Sequence, residues 1–167
     1  MHRLLFDSET SVQGWTEIGD RVMGGISHGV LRYDASGFAV FEGLVSLENG
    51  GGFASIRHSS LRLGGIGISG YRLKIRGDGK RYKLNLGTSQ AFDAVQYQAS
   101  FAPAAGVWVD IEIPVMDFVA RFRGTTLGDR LPLDPSSVCQ IGLMVGDRQA
   151  GPFRLEICEI SCEQAAQ

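Results

Sequence analysis

The sequence predicts an all-β protein, a jelly-roll β-sandwich of about ten strands with little or no helix. Three observations carry this reading. Apolar residues recur with a period of two along most of the chain, the mark of half-buried strands. The 23 glycines follow no collagen period, so they read as turns and bulges. Good helical periodicity is absent, and the Pro-bounded segment 114–124 has room for a single turn at most. Many short strands in one compact domain must close a barrel or stack as two sheets. No internal repeat suggests a propeller or β-helix, and the 167 residues make one domain, 1–167.

Taken in chain order, "DRVMGGISHG" (20–29) places Gly24 and Gly25 as a tight corner before a strand at "VLRY" (30–33). "FAVFEGLVSL" (38–47) and "CQIGLMVG" (139–146) are apolar on both faces and read as central strands. "FASIR" (53–57) is a further short strand. Tyr71, Leu73 and Ile75 alternate with Arg72, Lys74 and Arg76, and Tyr82, Leu84 and Leu86 with Arg81, Lys83 and Asn85. Between them "GDGK" (77–80) signals a hairpin turn. Such a hairpin puts Arg72, Lys74, Arg76, Arg81 and Lys83 on one outer face. Five like charges there need an acidic partner, internal at Asp110 and Glu112 or external on another protein. Val95, Tyr97, Ala99 and Phe101 alternate with Gln96, Gln98 and Ser100; Val107, Val109, Ile111 and Ile113 with Trp108, Asp110 and Glu112; Phe153, Leu155 and Ile157 with Arg154, Glu156 and Cys158.

Composition narrows function. A formal net charge of −2 gives no general attraction to nucleic acid or membrane surfaces. Cys139, Cys158 and Cys162 form no C-x-x-C pair, which fits reduced thiols rather than a disulfide framework or zinc site. Cys158 and Cys162 share a face if the last strand reaches both. No signal-peptide pattern and no membrane-length apolar run is visible, so the expectation is a soluble, cytoplasmic chain without membrane insertion. Ser27 and His28 are neighbours that point apart in a strand, and no G-x-S-x-G elbow accompanies them. The G-x-G-x-x-G at Gly65, Gly67 and Gly70 leads into a strand, not a helix, and therefore cradles no dinucleotide. Asp110 and Glu112 form a weak case for a glycosidase pair. No metal or cofactor is expected.

"WTEIGDRVMGGISHG", "FEGLVSLENGGGFASIR", "IRGDGKRYKLNL", "DFVARFRG" and "IGLMVGDRQAGPFRLEI" occur in order from about Trp15 to Ile160. Together they resemble the CIA30 family, the domain of complex I intermediate-associated protein 30. The resemblance implies a galactose-binding-like jelly roll and a role as an assembly chaperone for a membrane complex, respiratory or photosynthetic. It carries over no catalytic residue. Gly19 stands where family members often have Asn, and the organelle-targeting extension of the mitochondrial protein is missing, so a bacterial source is expected.

The leading reading is therefore a non-catalytic protein-binding module whose clients are subunits or intermediates of a membrane complex. Its expected surface is the rim set Asp20, Arg21, Met23, Arg57, Asp147, Arg148 and Gln149. The bland role for that set is structural, with Asp20 capping a turn and Arg57 or Arg148 pairing with it; such a buried pair has to be richly hydrogen-bonded. A carbohydrate-binding module is the alternative, with Trp15, Tyr97 and Trp108 as stacking platforms. An enzyme of unknown reaction is third.

Overall fold

The computed structural model describes residues 2–19, 24–59, 63–91, 94–122, 125–128 and 131–167. Two antiparallel sheets pack face to face. The six-stranded sheet runs β3 (His28–Asp34), β4 (Phe38–Val45), β13 (Gly151–Gln164), β6 (Ile68–Arg76), β9 (Trp108–Pro114), and β1 (Arg3–Leu5) also pairs with β13. The seven-stranded sheet runs β11 (Thr125–Gly128), β10 (Val119–Phe122), β8 (Gln96–Phe101), β7 (Tyr82–Gly87), β12 (Gln140–Val145), β5 (Ala54–His58), β2 (Thr16–Glu17). This is the sandwich that the alternation predicts. Segment 114–124 holds one 3-10 turn, Val115–Asp117, followed by β10. Among the described residues no helix is long and apolar enough to cross a membrane.

The core lies between the sheets. Tyr71, Leu73 and Ile75 of β6 face Tyr82, Leu84 and Leu86 of β7, all fully buried, and edge-on aromatic pairs such as Phe41–Phe153 (4.9 Å) and Tyr71–Phe118 (5.8 Å) fill the ends. Both tyrosine hydroxyls are satisfied: Tyr71 donates to the Leu63 carbonyl and Tyr82 to Asp78, each at 3.0 Å. The two apolar runs become inner strands, β4 between β3 and β13 and β12 between β7 and β5.

The structure overturns two expectations. Residues 71–86 are not a hairpin, because β6 and β7 belong to different sheets. Asp78 is the reason. Its carboxylate accepts from Lys80 N and from the Tyr82 hydroxyl at the start of β7, and from Arg154 N on β13 of the opposite sheet. The "GDGK" turn is thus pinned to both sheets and crosses the edge of the sandwich. Arg72, Lys74 and Arg76 consequently face outward from one sheet, and Arg81 and Lys83 belong to the other. Cys158 and Cys162 do not share a face either. The register against β6 shifts between Ile157 and Glu159, so Cys158 is the extra residue of a bulge. Past it the inward positions are Ile160 and Cys162. The Cys162 thiol donates to the Leu63 carbonyl (3.3 Å), and burial pushes it up to about 11.

On the outer face of the six-stranded sheet, acids answer the cations. Arg72 meets Glu112 (2.5 Å) and Glu163 (2.9 Å), Arg76 meets Glu156 (2.5 Å), and Arg154 bridges Glu156 and Glu42 (both 3.0 Å). Arg32 continues the ladder to Glu42 (2.7 Å), whose carboxyl its hydrogen bond holds below the usual range. Lys74 stands in register between Asp110 and Glu159. This face is a self-neutralised ion-pair lattice.

Candidate functional site

The opposite outer face, on the seven-stranded sheet, has a different character. Pairing places its outward side chains in transverse rows, with neighbouring strands about 4.8 Å apart. One row reads Gln140, Gly87, Gln96, Arg121; the next Arg57, Gly142, Asn85, Gln98, Val119; the third Ser55, Met144, Lys83, Ser100. Four amides, Gln140, Gln96, Asn85 and Gln98, thus stand in the first two rows, with Gly87 and Gly142 among them.

Both glycines are there because the space is taken. A Cβ on Gly87 would lie 2.9 Å from Gln140 Oε1, so the Gln140 side chain folds across β7 at that point. A Cβ on Gly142 would lie 2.7 Å from the Ile56 carbonyl oxygen. Asn85 and Gln140 are only 6% and 4% exposed although they stand on an outward face. Among the described residues, three buried side-chain atoms have no hydrogen-bond partner: Asn85 Oδ1, Gln140 Oε1 and Gln96 Nε2. All three belong to this face. Buried amides are normally paired, so their concentration in one place marks it as unlike the rest of the fold.

A cleft of about 530 Å³ opens over the adjoining part of the face. Lys83, Gln96, Gln98, Arg121 and Met144 form its floor, and loop residues Gly50 to Phe53, Ala94 and Gly146 to Arg148 its walls. Asp147 and Arg148 are the central pair of the β12–β13 turn, closed by Gln149 N donating to the Gly146 carbonyl (3.3 Å). Both have left-handed backbone, φ 57° and 53°. That conformation suits a tight hairpin turn but is costly for Arg. The strained turn brings the Asp147 carboxylate to Lys83 Nζ (3.3 Å) and Arg81 Nε (3.7 Å).

The residues singled out from sequence scatter around this geometry. Asp147, Arg148 and Lys83 line the cleft. Arg57 shares its face through β5, where burial draws its guanidinium below the ordinary value. Gln149 turns to the backbone instead, accepting from Arg81 N and donating to the Arg81 and Gly146 carbonyls. Asp20, Arg21 and Met23 lie outside the described residues. The three aromatics do not form one platform. Tyr97 is a core residue, 7% exposed. Trp15 packs at the sandwich edge against Phe6 and His58. Trp108 is on the other sheet's outer face, under the Arg76 guanidinium (4.9 Å) and against Phe38 (5.4 Å). Sequence reasoning missed Asn85, Gln96, Gln98, Arg121, Gln140 and Met144; for Asn85, Gln96 and Gln98 the signal available was amides, not charges, on the polar side of two strands.

Comparison with known proteins adds the following. The family model for Complex I intermediate-associated protein 30 (CIA30) matches residues 4–157. No curated protein matches the chain. Among solved structures, the family 11 carbohydrate-binding module of the cellulosomal cellulase Lic26A-Cel5E of Clostridium thermocellum is similar, with 16% identity, a TM-score of 0.69 and coverage of 99% of this chain and 97% of that one. The family 11 module from the same organism in complex with a β-1,3-1,4-mixed-linked tetrasaccharide has 16% identity, a TM-score of 0.66 and 99% coverage of both chains. An agarase, AgWH50C, has 9% identity and a TM-score of 0.61, with 100% of this chain matched to 25% of that one. These likenesses establish the jelly-roll sandwich.

Proposed function

From the premise that the chain belongs to the CIA30 family, we propose that it is a non-catalytic protein-binding module that assists assembly of a multi-subunit membrane complex, and that the outer face of the seven-stranded sheet receives the client. The observation that carries this reading is the open cleft of about 530 Å³ on that face, where Gln96 and Gln98 stand beside Lys83, Arg121 and Met144 and so offer polar, charged and apolar contacts together. Family membership suggests the class of client.

The similar solved structures include modules whose names state that they bind carbohydrate, and a saccharide is the competing ligand. Sugar sites of this shape rely on aromatic platforms beside polar groups. Trp15, Tyr97 and Trp108 are in the wrong places for that, at the edge, in the core and on the opposite sheet. The large apolar elements of the cleft are Met144 on the floor and Phe53 from the loop before β5, with Ala94 beside them. They suit an apolar side chain better than a row of sugar rings.

The test is affinity capture from native membranes solubilised in mild detergent, with the intact chain as bait. Subunits or assembly intermediates of one membrane complex should be recovered with the wild type and lost with Gln98→Glu combined with Met144→Glu, two residues of the cleft floor. A bait that repeatedly recovers none, while a glycan array gives a dose-dependent signal, would replace this reading with the carbohydrate one.

A further inference from the structure

We infer that the cleft on the seven-stranded sheet takes an acidic polypeptide segment carrying one large apolar side chain. This rests on the protein-binding reading above and specifies which kind of client segment is bound.

Charge balance separates the cleft from the opposite face. On the six-stranded sheet the arginines of the ladder, Arg32, Arg72, Arg76 and Arg154, are matched by Asp34, Glu42, Glu112, Glu156 and Glu163. Around the cleft the balance is reversed. The Asp147 carboxylate stands among Lys83 (3.3 Å), Arg81 (3.7 Å) and Arg148, its neighbour in the chain. Arg148 makes no ion pair among the described residues. A positive excess in a recess focuses the field on whatever enters it. The chain as a whole carries a formal charge of −2, so the excess is local. It fits a short acidic segment, and not an extended polyanion such as nucleic acid, which needs many phosphate contacts.

Arg148 carries the argument furthest. Its backbone is left-handed (φ 53°) at a turn position where Gly would remove the strain. Its stem lies against Gly52, where an added Cβ would come 3.6 Å from Arg148 Cγ. The residue is exposed and lines the cleft wall. Strain of this kind gathers at ligand sites, and a planar guanidinium matches a carboxylate better than any other side chain.

The apolar part adjoins it. A Cβ on Gly146 would lie 3.7 Å from Met144 Sδ and 3.9 Å from Phe53 Cβ. Met144 and Phe53 thus flank Gly146, two residues before Arg148 in the same turn. A carboxylate at Arg148 and an apolar side chain at Met144 and Phe53 are therefore read side by side.

The experiment is selection of phage-displayed random dodecapeptides on the intact chain, followed by fluorescence anisotropy with the enriched peptides. Enriched peptides should be rich in Asp and Glu and share a large apolar residue. Arg148→Gly should weaken them about tenfold while urea denaturation shows no loss of stability. The same peptides with Asp and Glu replaced by Asn and Gln should lose about tenfold or more on the wild-type protein. That arm keeps the test valid if the variant misfolds. The mixed-linked tetrasaccharide should not compete. Neutral or basic enriched peptides, no enriched peptide, equal binding by Arg148→Gly, indifference to the amide replacements, or competition by the tetrasaccharide would each overturn the inference. The two proposals fail separately. Acidic peptides that bind as described, with no membrane subunits captured, leave this inference standing and remove the assembly role. Subunits captured equally by the wild type and Arg148→Gly leave the role and remove the acidic segment.

Discussion

Replacing Asn85 by Leu and Gln140 by Met should make the protein more stable. Both side chains are more than nine-tenths buried, and Asn85 Oδ1 and Gln140 Oε1 have no hydrogen-bond partner among the protein's own groups. An amide left unsatisfied in the interior costs about 1–3 kcal/mol, whereas an apolar group of the same shape at the same place is close to neutral. Leu and Met preserve the outlines of Asn and Gln well enough that overpacking should be small. The sites are diagonal neighbours and share surroundings, so simple addition is unsafe, and the low end of the range is the proper expectation: about 2 kcal/mol for the pair. In a chain of this size 1 kcal/mol moves the midpoint by about 2–4 °C, which gives a rise of about 4–8 °C by scanning calorimetry. A fall of more than about 1 kcal/mol would refute the reasoning, because it would mean that the amides hold the native fold together.

Three other perturbations probe the frame around the site. Arg148→Gly removes a left-handed backbone cost of about 1–2 kcal/mol and adds about 0.5–1 kcal/mol of unfolded-state entropy; urea denaturation should show a net gain of about 0.5–1 kcal/mol, and a loss would show that the Arg148 side chain holds the turn. Gly43→Ala puts a Cβ 2.0 Å from the His28 carbonyl oxygen, an atom fixed in the β3–β4 ladder, so stability should drop by about 3 kcal/mol and expression of folded protein with it; a mild effect on the melting curve would contradict the tight β3–β4 packing. Stability should hold up to about pH 9 and fall towards pH 11, because burial raises Cys162 to about 11. There the unfolded chain releases a proton that the native fold retains, so rising pH favours unfolding. Burial also raises Cys158, Tyr71 and Tyr82, which add to the fall. Urea melts below about pH 10, ahead of the tyrosines, should therefore show a shallower slope in Cys162→Val, and an unchanged slope there would remove Cys162 as a cause.

The strands were legible because burial on one face imposes a period of two, and that period survives at β6, β7, β8 and β9 in full view. What alternation cannot report is which strands become neighbours. "GDGK" has the composition of a hairpin turn, and only the bonds from Asp78 to Tyr82 and to Arg154 N, far along the chain, show that it spans two sheets. The same limit hid the site. Gln96 and Asn85 are visible as the polar side of ordinary strands, and Gln140 sits in an apolar run that reads as fully covered. Only the β12–β7–β8 pairing brings the three together and puts Gly87 between two of them. The Asp147–Arg148 turn was legible as a motif too specific for strand patterning, but its left-handed backbone and its place over the cleft were not. For Arg72 and Lys74 of β6 the sequence already held part of the answer, in the acids that alternate along β9, whereas the partner of Arg76 is Glu156 of β13.

The central claim is that the outer face of the seven-stranded sheet receives a protein client. Affinity capture from solubilised native membranes, with the wild type and Gln98→Glu combined with Met144→Glu as parallel baits, tests it most directly. The wild type should recover subunits of one membrane complex, and the variant, still melting cooperatively, should lose them. Equal recovery by the two baits would contradict the claim.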